Sequence, residues 1–118
     1  MELTDGYLVR QDEQGKERCN CNLATVREKD GDIHMYIGLV PDAAIKNCMV
    51  VEITPEWKKQ NPEYDIKSMV GKKIKLKGFL LFDYMHKGNA TNTCESCSNT
   101  WRKTCWELHP VTDIALAR

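Results

Sequence analysis

With 118 residues, 42% of them hydrophobic, the chain is long enough to bury one core and short for two domains of ordinary size. Its 17 lysines and arginines equal its 17 aspartates and glutamates. A formal charge of zero excludes a global field that recruits polyanions, so any nucleic-acid contact must come from a local patch.

In chain order, residues 6–10 read as a short first strand that ends where the sequence turns polar at Asp12. Residues 12–32 are charged and aperiodic, hold Cys19 and Cys21, and close on the turn signal Lys29-Asp30-Gly31-Asp32, so a long loop is expected. Residues 33–39 alternate, with Ile33, Met35, Ile37 and Leu39 inward and His34 and Tyr36 outward. Pro41 and Asp42 break this second strand, and residues 48–53 make the third. Thr54 as N-cap with Pro55 at the first helical position starts a helix, Asn61-Pro62-Glu63 repeats the signal, and Gly71 stops it. Residues 72–83 form the fourth strand, with Ile74, Leu76, Leu80 and Phe82 on one parity, Lys73, Lys75 and Lys77 on the other, and Gly78 permitting a bulge. Residues 84–103 are polar, hold Cys94 and Cys97, and make a second long loop. The last strand, residues 106–117, is the best patterned: Trp106, Leu108, Pro110, Thr112, Ile114 and Leu116 face inward, and Glu107, His109 and Asp113 face outward.

Three strands, a helix and two further strands follow the order of the five-stranded Greek-key barrel called the OB-fold, whose ligand lies between the two loops that are long here. The expected fold class is all-β, one OB-fold domain over residues 1–118 with a short helix between the third and fourth strands. An open α+β sheet accounts for the loop placement less well.

No apolar run approaches the length of a membrane span, and residues 1–5 lack the basic and apolar parts of a signal peptide. The protein is then cytoplasmic if Met1 is its native start, or else the mature form of an exported one. Six cysteines suit three disulfides in an oxidising space, while Cys19, Cys21, Cys94 and Cys97 are a reasonable zinc-ligand set in a reducing one.

Several blocks also carry a family resemblance: Gly6-Tyr7-Leu8-Val9, Cys19-Asn20-Cys21, Asp32-Ile33-His34, Val51-Glu52-Ile53-Thr54-Pro55, the run from Gly71 to Gly78, Asp83-Tyr84-Met85-His86, Trp101-Arg102, and the stretch from Trp106 to Thr112. Over nearly its whole length the chain resembles a group of bacterial OB-fold proteins, mostly uncharacterised and labelled nucleic-acid-binding proteins or lipoproteins. The resemblance implies export, hence a mature chain in the periplasm or cell envelope, and it favours disulfides over zinc. Cys48, Cys94, Cys97 and Cys105 depart from the group's pattern. Because the third and fifth strands of that fold run side by side, a Cys48–Cys105 disulfide is expected, leaving Cys19, Cys21, Cys94 and Cys97 to pair with one another or to hold zinc.

Outward parity gathers His34, Glu52, Glu107 and His109 on one face of the sheet, with Asp32 at its edge. Such groups bind a divalent ion or simply hydrogen-bond to one another, and the second reading is preferred because the spacing is no recognised ligand signature. His86 is expected to anchor the last loop. Lys73, Lys75 and Lys77, with Arg102 as a further cation and Tyr36, Trp101 or Tyr84 as aromatic platforms, would contact a single-stranded nucleic acid if they lined one groove. Against this stand Asp32 and Glu52 on the face where the fold usually holds its ligand. Glu107 and His109 are the only acid–base pair, without a nucleophile, so no enzyme activity is expected. The reading is a non-enzymatic binding module for single-stranded nucleic acid or another oligomeric ligand, with His34, Tyr36, Lys73, Lys75, Lys77, Trp101, Arg102 and His109 as contacts and no cofactor. The alternatives are a disulfide-stapled module of the cell envelope with a protein partner, and a zinc-binding protein.

Overall fold

A computed structural model describes residues 1–13, 32–94 and 96–117. Among the described residues the strands are β1 (Glu2–Glu13), β2 (Ile33–Gly38), β3 (Met49–Ile53), β4 (Lys73–Phe82) and β5 (Trp106–Leu116), and the one α-helix, α1, is Pro55–Gln60. The strands close into a barrel in the order β1-β2-β3-β5-β4, with β3 and β5 parallel and every other pair antiparallel. This is the expected all-β barrel of OB type.

β1 is twice as long as its side-chain pattern implies because two neighbours share it. Its first half pairs with β4, from Glu2 opposite Lys77 to Tyr7 opposite Lys73, and its second half pairs with β2 from Tyr7 to Glu13. Register shifts between Leu3 and Gly6 and between Leu8 and Arg10 bend it from one partner to the other. Backbone pairing, which leaves no periodic mark, sets its extent.

The interior is filled by Leu8, Met35, Val51, Ile53, Ile74, Leu76, Leu108 and Ile114 among others. Thr54 caps α1 through its Oγ1, which accepts from Trp57 N at 3.2 Å, a contact worth about 1 kcal/mol. The second helix signal yields only a 3-10 turn, Ile66–Met69, whose Ile66 and Met69 seal one end of the core. Gly71 then takes φ +86, the left-handed conformation that ends the segment.

The inward parity expected of β4 and β5 holds only in part. Leu108 and Ile114 are core, yet the residue between them is Val111, and Trp106 and Leu116 are exposed. Pairing slips on both sides of Gly78, so that Gly78 faces Val111, Leu80 faces Leu108, and Pro110 and Thr112 leave the core row. Gly78 is needed there: a Cβ would lie 2.7 Å from the Pro110 carbonyl oxygen. Beyond it Leu80 and Phe82 are exposed, as is Leu39, which lies past the end of β2.

Candidate functional site

The outer face of β2, β3 and β5 carries the polar side chains in the expected order, but they are buried. His34 stands opposite Glu52, and Val51 stands beside Leu108, which places Glu107 and His109 next to Glu52. The cover comes from the segment between β4 and β5. Within it, Arg102 is 1% exposed, and its guanidinium ties three stretches of chain together: Nε donates to Thr104 O at 2.7 Å, Nη1 to Asp83 Oδ2 at 3.2 Å, and Nη2 to Glu107 Oε2 at 2.8 Å. His86 also reaches Asp83 and packs edge-on against Trp101, so it anchors the segment as expected.

His109 is the centre of the cluster. Its Nδ1 lies 3.0 Å from Glu52 Oε2 and 3.3 Å from Glu107 Oε1, and its Nε2 lies 3.7 Å from Asp32 Oδ2. Hydrogen bonds to Glu107 and then Glu52 push its pKa up to about 10, against the cost of burial. Burial raises Glu107, and the adjacent Glu52 adds to the effect. Burial likewise opposes ionisation of Glu52, but hydrogen bonds from His109 and from His34, whose Nε2 donates to Glu52 Oε1 at 2.8 Å, outweigh it and hold Glu52 well below the usual carboxylate range. The positive charge that these carboxylates demand is therefore met by an imidazolium and a guanidinium. Donor atoms of Asp32, Glu52 and His109 also lie within 4.8 Å of one another, the spacing of a cation site. Both oxygens of Glu52 are, however, engaged by the two histidines, so an ion would have to displace them.

The cysteines correct one expectation and meet another. Cys48 and Cys105 are free, buried thiols, and no disulfide joins them. The chain beside Cys48 is Lys103, whose N–H donates to Cys48 O, whereas Cys105 lies further along, its carbonyl accepting from Asp83 N. Cys48 Sγ points to Ala44 O at 3.4 Å, and Cys105 Sγ contacts Thr93 Oγ1 at 3.6 Å. Burial pushes the Cys48 thiol pKa up. Cys94 and Cys97 are bonded to each other, which removes two thiolates from the zinc alternative; Cys19 and Cys21 lie outside the described residues.

The expected ligand contacts do not share one surface. His34, Tyr36 and Arg102 are buried, and Tyr36 packs with Cys48, Val50 and Trp101 under the covering segment. Lys73 and Lys77 are on the β1 side of β4, bridged to Asp5 at 3.4 Å and Glu2 at 3.3 Å, and Lys75 is exposed between them.

Pattern reading missed an apolar ledge. Phe79, Leu80, Leu81 and Phe82 are all exposed, by 66%, 48%, 44% and 39%, and Phe82 packs edge-on against exposed Trp106, with Tyr84 and Met85 following. The signal was present in the sequence: after Gly78 the lysine alternation stops and both parities become apolar. Among the described residues β4 also has an unpaired edge there. Gly78 and Met1 exchange backbone hydrogen bonds on the β1 side, while Asp83 N turns to Cys105 on the β5 side. Leu80 and Phe82 share the parity of Gly78, and no described strand pairs with them on that side. Compared with known proteins, the chain matches no family profile, no curated protein and no solved structure.

Proposed function

We propose that the protein is a non-catalytic binding module of OB type whose ligand is an extended apolar strand of a partner protein, added to β4 along residues 79–82. The observation that carries this reading is the ledge itself: four consecutive large apolar side chains exposed on both faces of one strand. Patches of that kind on soluble domains mark interaction surfaces. The edge of β4 favours a polypeptide over a lipid, because Leu80 and Phe82 offer backbone donors and acceptors that only another backbone satisfies in register. A Cys94–Cys97 disulfide supports an oxidising compartment such as the periplasm or cell envelope.

Selection of displayed random peptides on the folded protein tests the proposal. Enriched sequences should alternate apolar residues, protect the Leu80 and Phe82 amides from exchange, and lose binding to the Phe79→Asp and Leu81→Asp variants. Binders indifferent to both substitutions, or preferential binding to phosphatidylcholine vesicles, would overturn it.

A further inference from the structure

Beyond Gly78 the outer edge of β4 is open over a length that its neighbours set. Gly78 N donates to Met1 O at 3.1 Å and the Met1 amino group donates to Gly78 O at 2.9 Å, so β1 occupies the edge up to that point. β4 ends at Phe82, and residues 84–89 turn into a 3-10 segment. Successive residues of a strand aim their backbone groups at opposite neighbours, so Leu80 and Phe82, which share the parity of Gly78, aim theirs away from β5. Among the described residues, the open stretch presents its donors and acceptors through these two. Phe79 and Leu81 stand on the opposite face of the strand, so both faces are apolar there.

We infer that the strand taken up at this edge is β4 of a second copy of the chain, paired antiparallel about a two-fold axis through Leu81; the inference rests on the reading of β4 as an edge that accepts a strand. An axis perpendicular to the sheet keeps each side chain on its own face, so only residues of like parity oppose each other across it. Centred on Leu81, it sets Leu80 against the second copy's Phe82 and Phe82 against the second copy's Leu80. Each then both donates and accepts, and the open groups of the stretch are satisfied. Centred on Leu80, the axis would set Phe82 against Gly78, whose groups Met1 holds; centred on Phe82, it would set Leu80 against Tyr84, which lies past the strand. The edge is thus complementary to itself in one register. In that register the second copy's chain leaves the strand at Asp83, before it reaches the place of Met1. The area agrees with a dimer. At ~150–250 Å² for a large apolar side chain, Phe79 to Phe82 with Tyr84, Met85 and Trp106 leave roughly 700–800 Å² uncovered. The largest apolar patch of a typical monomer is roughly 300–600 Å², whereas a specific interface buries about 800 Å² on each partner. The run from Gly78 to Phe82 holds no charge, so none meets its like across the axis.

Sedimentation equilibrium of the full chain, hydrogen exchange and one introduced cysteine test this. The mass should rise from that of one chain toward that of two as concentration increases, with the Leu80 and Phe82 amides protected only where the dimer forms. Leu81→Lys sets like charges face to face on the axis and should hold the chain monomeric. Leu81→Cys should give a covalent dimer on mild oxidation, because residue 81 opposes its own copy and the Cα atoms of such a non-hydrogen-bonded pair lie ~4.5 Å apart, within disulfide reach. Phe79→Cys, which lies several residues from its copy, should not cross-link to it. Peptide mapping places the bond at position 81 rather than at a native cysteine, and circular dichroism checks that each variant is folded. A dimer that Leu81→Lys leaves intact, or equal cross-linking at positions 79 and 81, would overturn the inference. A chain that stays monomeric while apolar peptides protect Leu80 and Phe82 would overturn it and leave the strand-accepting edge standing; a monomer that no peptide protects would remove both.

Discussion

Arg102 and Glu107 form a buried ion pair at 2.8 Å, with side chains 1% and 2% exposed, between a loop residue and the strand it covers. Removing the guanidinium takes from the buried Glu107 carboxylate the nearer of its two cationic partners, leaving His109 Nδ1 at 3.3 Å, and takes one donor from Asp83. Arg102→Ala is therefore expected to destabilise the fold by ~3–5 kcal/mol. Urea denaturation measures it, and Glu107→Gln, which keeps a hydrogen-bond acceptor for the guanidinium, should cost less.

Stability should depend on pH through His109. Its pKa in the folded protein, about 10, lies above the ordinary 6.5, so folding favours the protonated ring. That contribution is complete below pH 6.5 and is lost as pH rises toward 10. Glu107, raised by burial, opposes folding as pH climbs above its ordinary 4.5, whereas Glu52, held low, stabilises above its ordinary 4.5 and gives this up as pH falls. Urea midpoints across pH should show the fall on the alkaline side, and His109→Gln should flatten it.

A side chain at position 78 should be resisted by backbone on the facing strand. The Cβ of Gly78→Ala would meet Pro110 O at 2.7 Å and Val111 Cα at 3.1 Å, neither the far end of a flexible group. Overpacking of this kind costs ~1–3 kcal/mol, and a thermal melt should register it.

Substituting the ledge should do the opposite. Phe79→Lys and Leu81→Lys remove exposed apolar area without opening a cavity, so stability should stay within about 0.5 kcal/mol while binding of the dye ANS falls.

Thiol chemistry separates the cysteines. Under native conditions iodoacetamide should leave Cys48 and Cys105 unmodified, since both are fully buried, and denaturation should expose both. Cys94 and Cys97 should take label only after reduction. Peptide mass mapping after each step checks the assignment.

Strand order and helix capping were legible because they are local. Thr54-Pro55, Gly71 and the alternation in residues 33–37 each act within a few residues, and each holds in the barrel. Parity also brought His34, Glu52, Glu107 and His109 to one face. Their burial was not legible, since the covering segment has no periodicity, and Arg102 reads in sequence as a surface cation. The Cys48–Cys105 pairing failed for a similar reason: strand adjacency was right, but the offset that places Lys103 beside Cys48 is set by the path of a loop. On β5 the alternation broke where pairing slips at Gly78, a relation between two strands that neither encodes alone.

β5 lies between β3 and β4 and is the partner of both. During synthesis the first four strands can pair in sequence, yet the interior remains an open trough, with Val51, Ile53, Ile74 and Leu76 uncovered, until Leu108 to Ile114 have left the ribosome. Closure is then a late, long-range event, the kind that folds slowly and exposes unpaired edges while it waits. In the growing chain, the ledge on β4 is one part of a larger sticky surface, of which β5 covers the rest and leaves the ledge exposed.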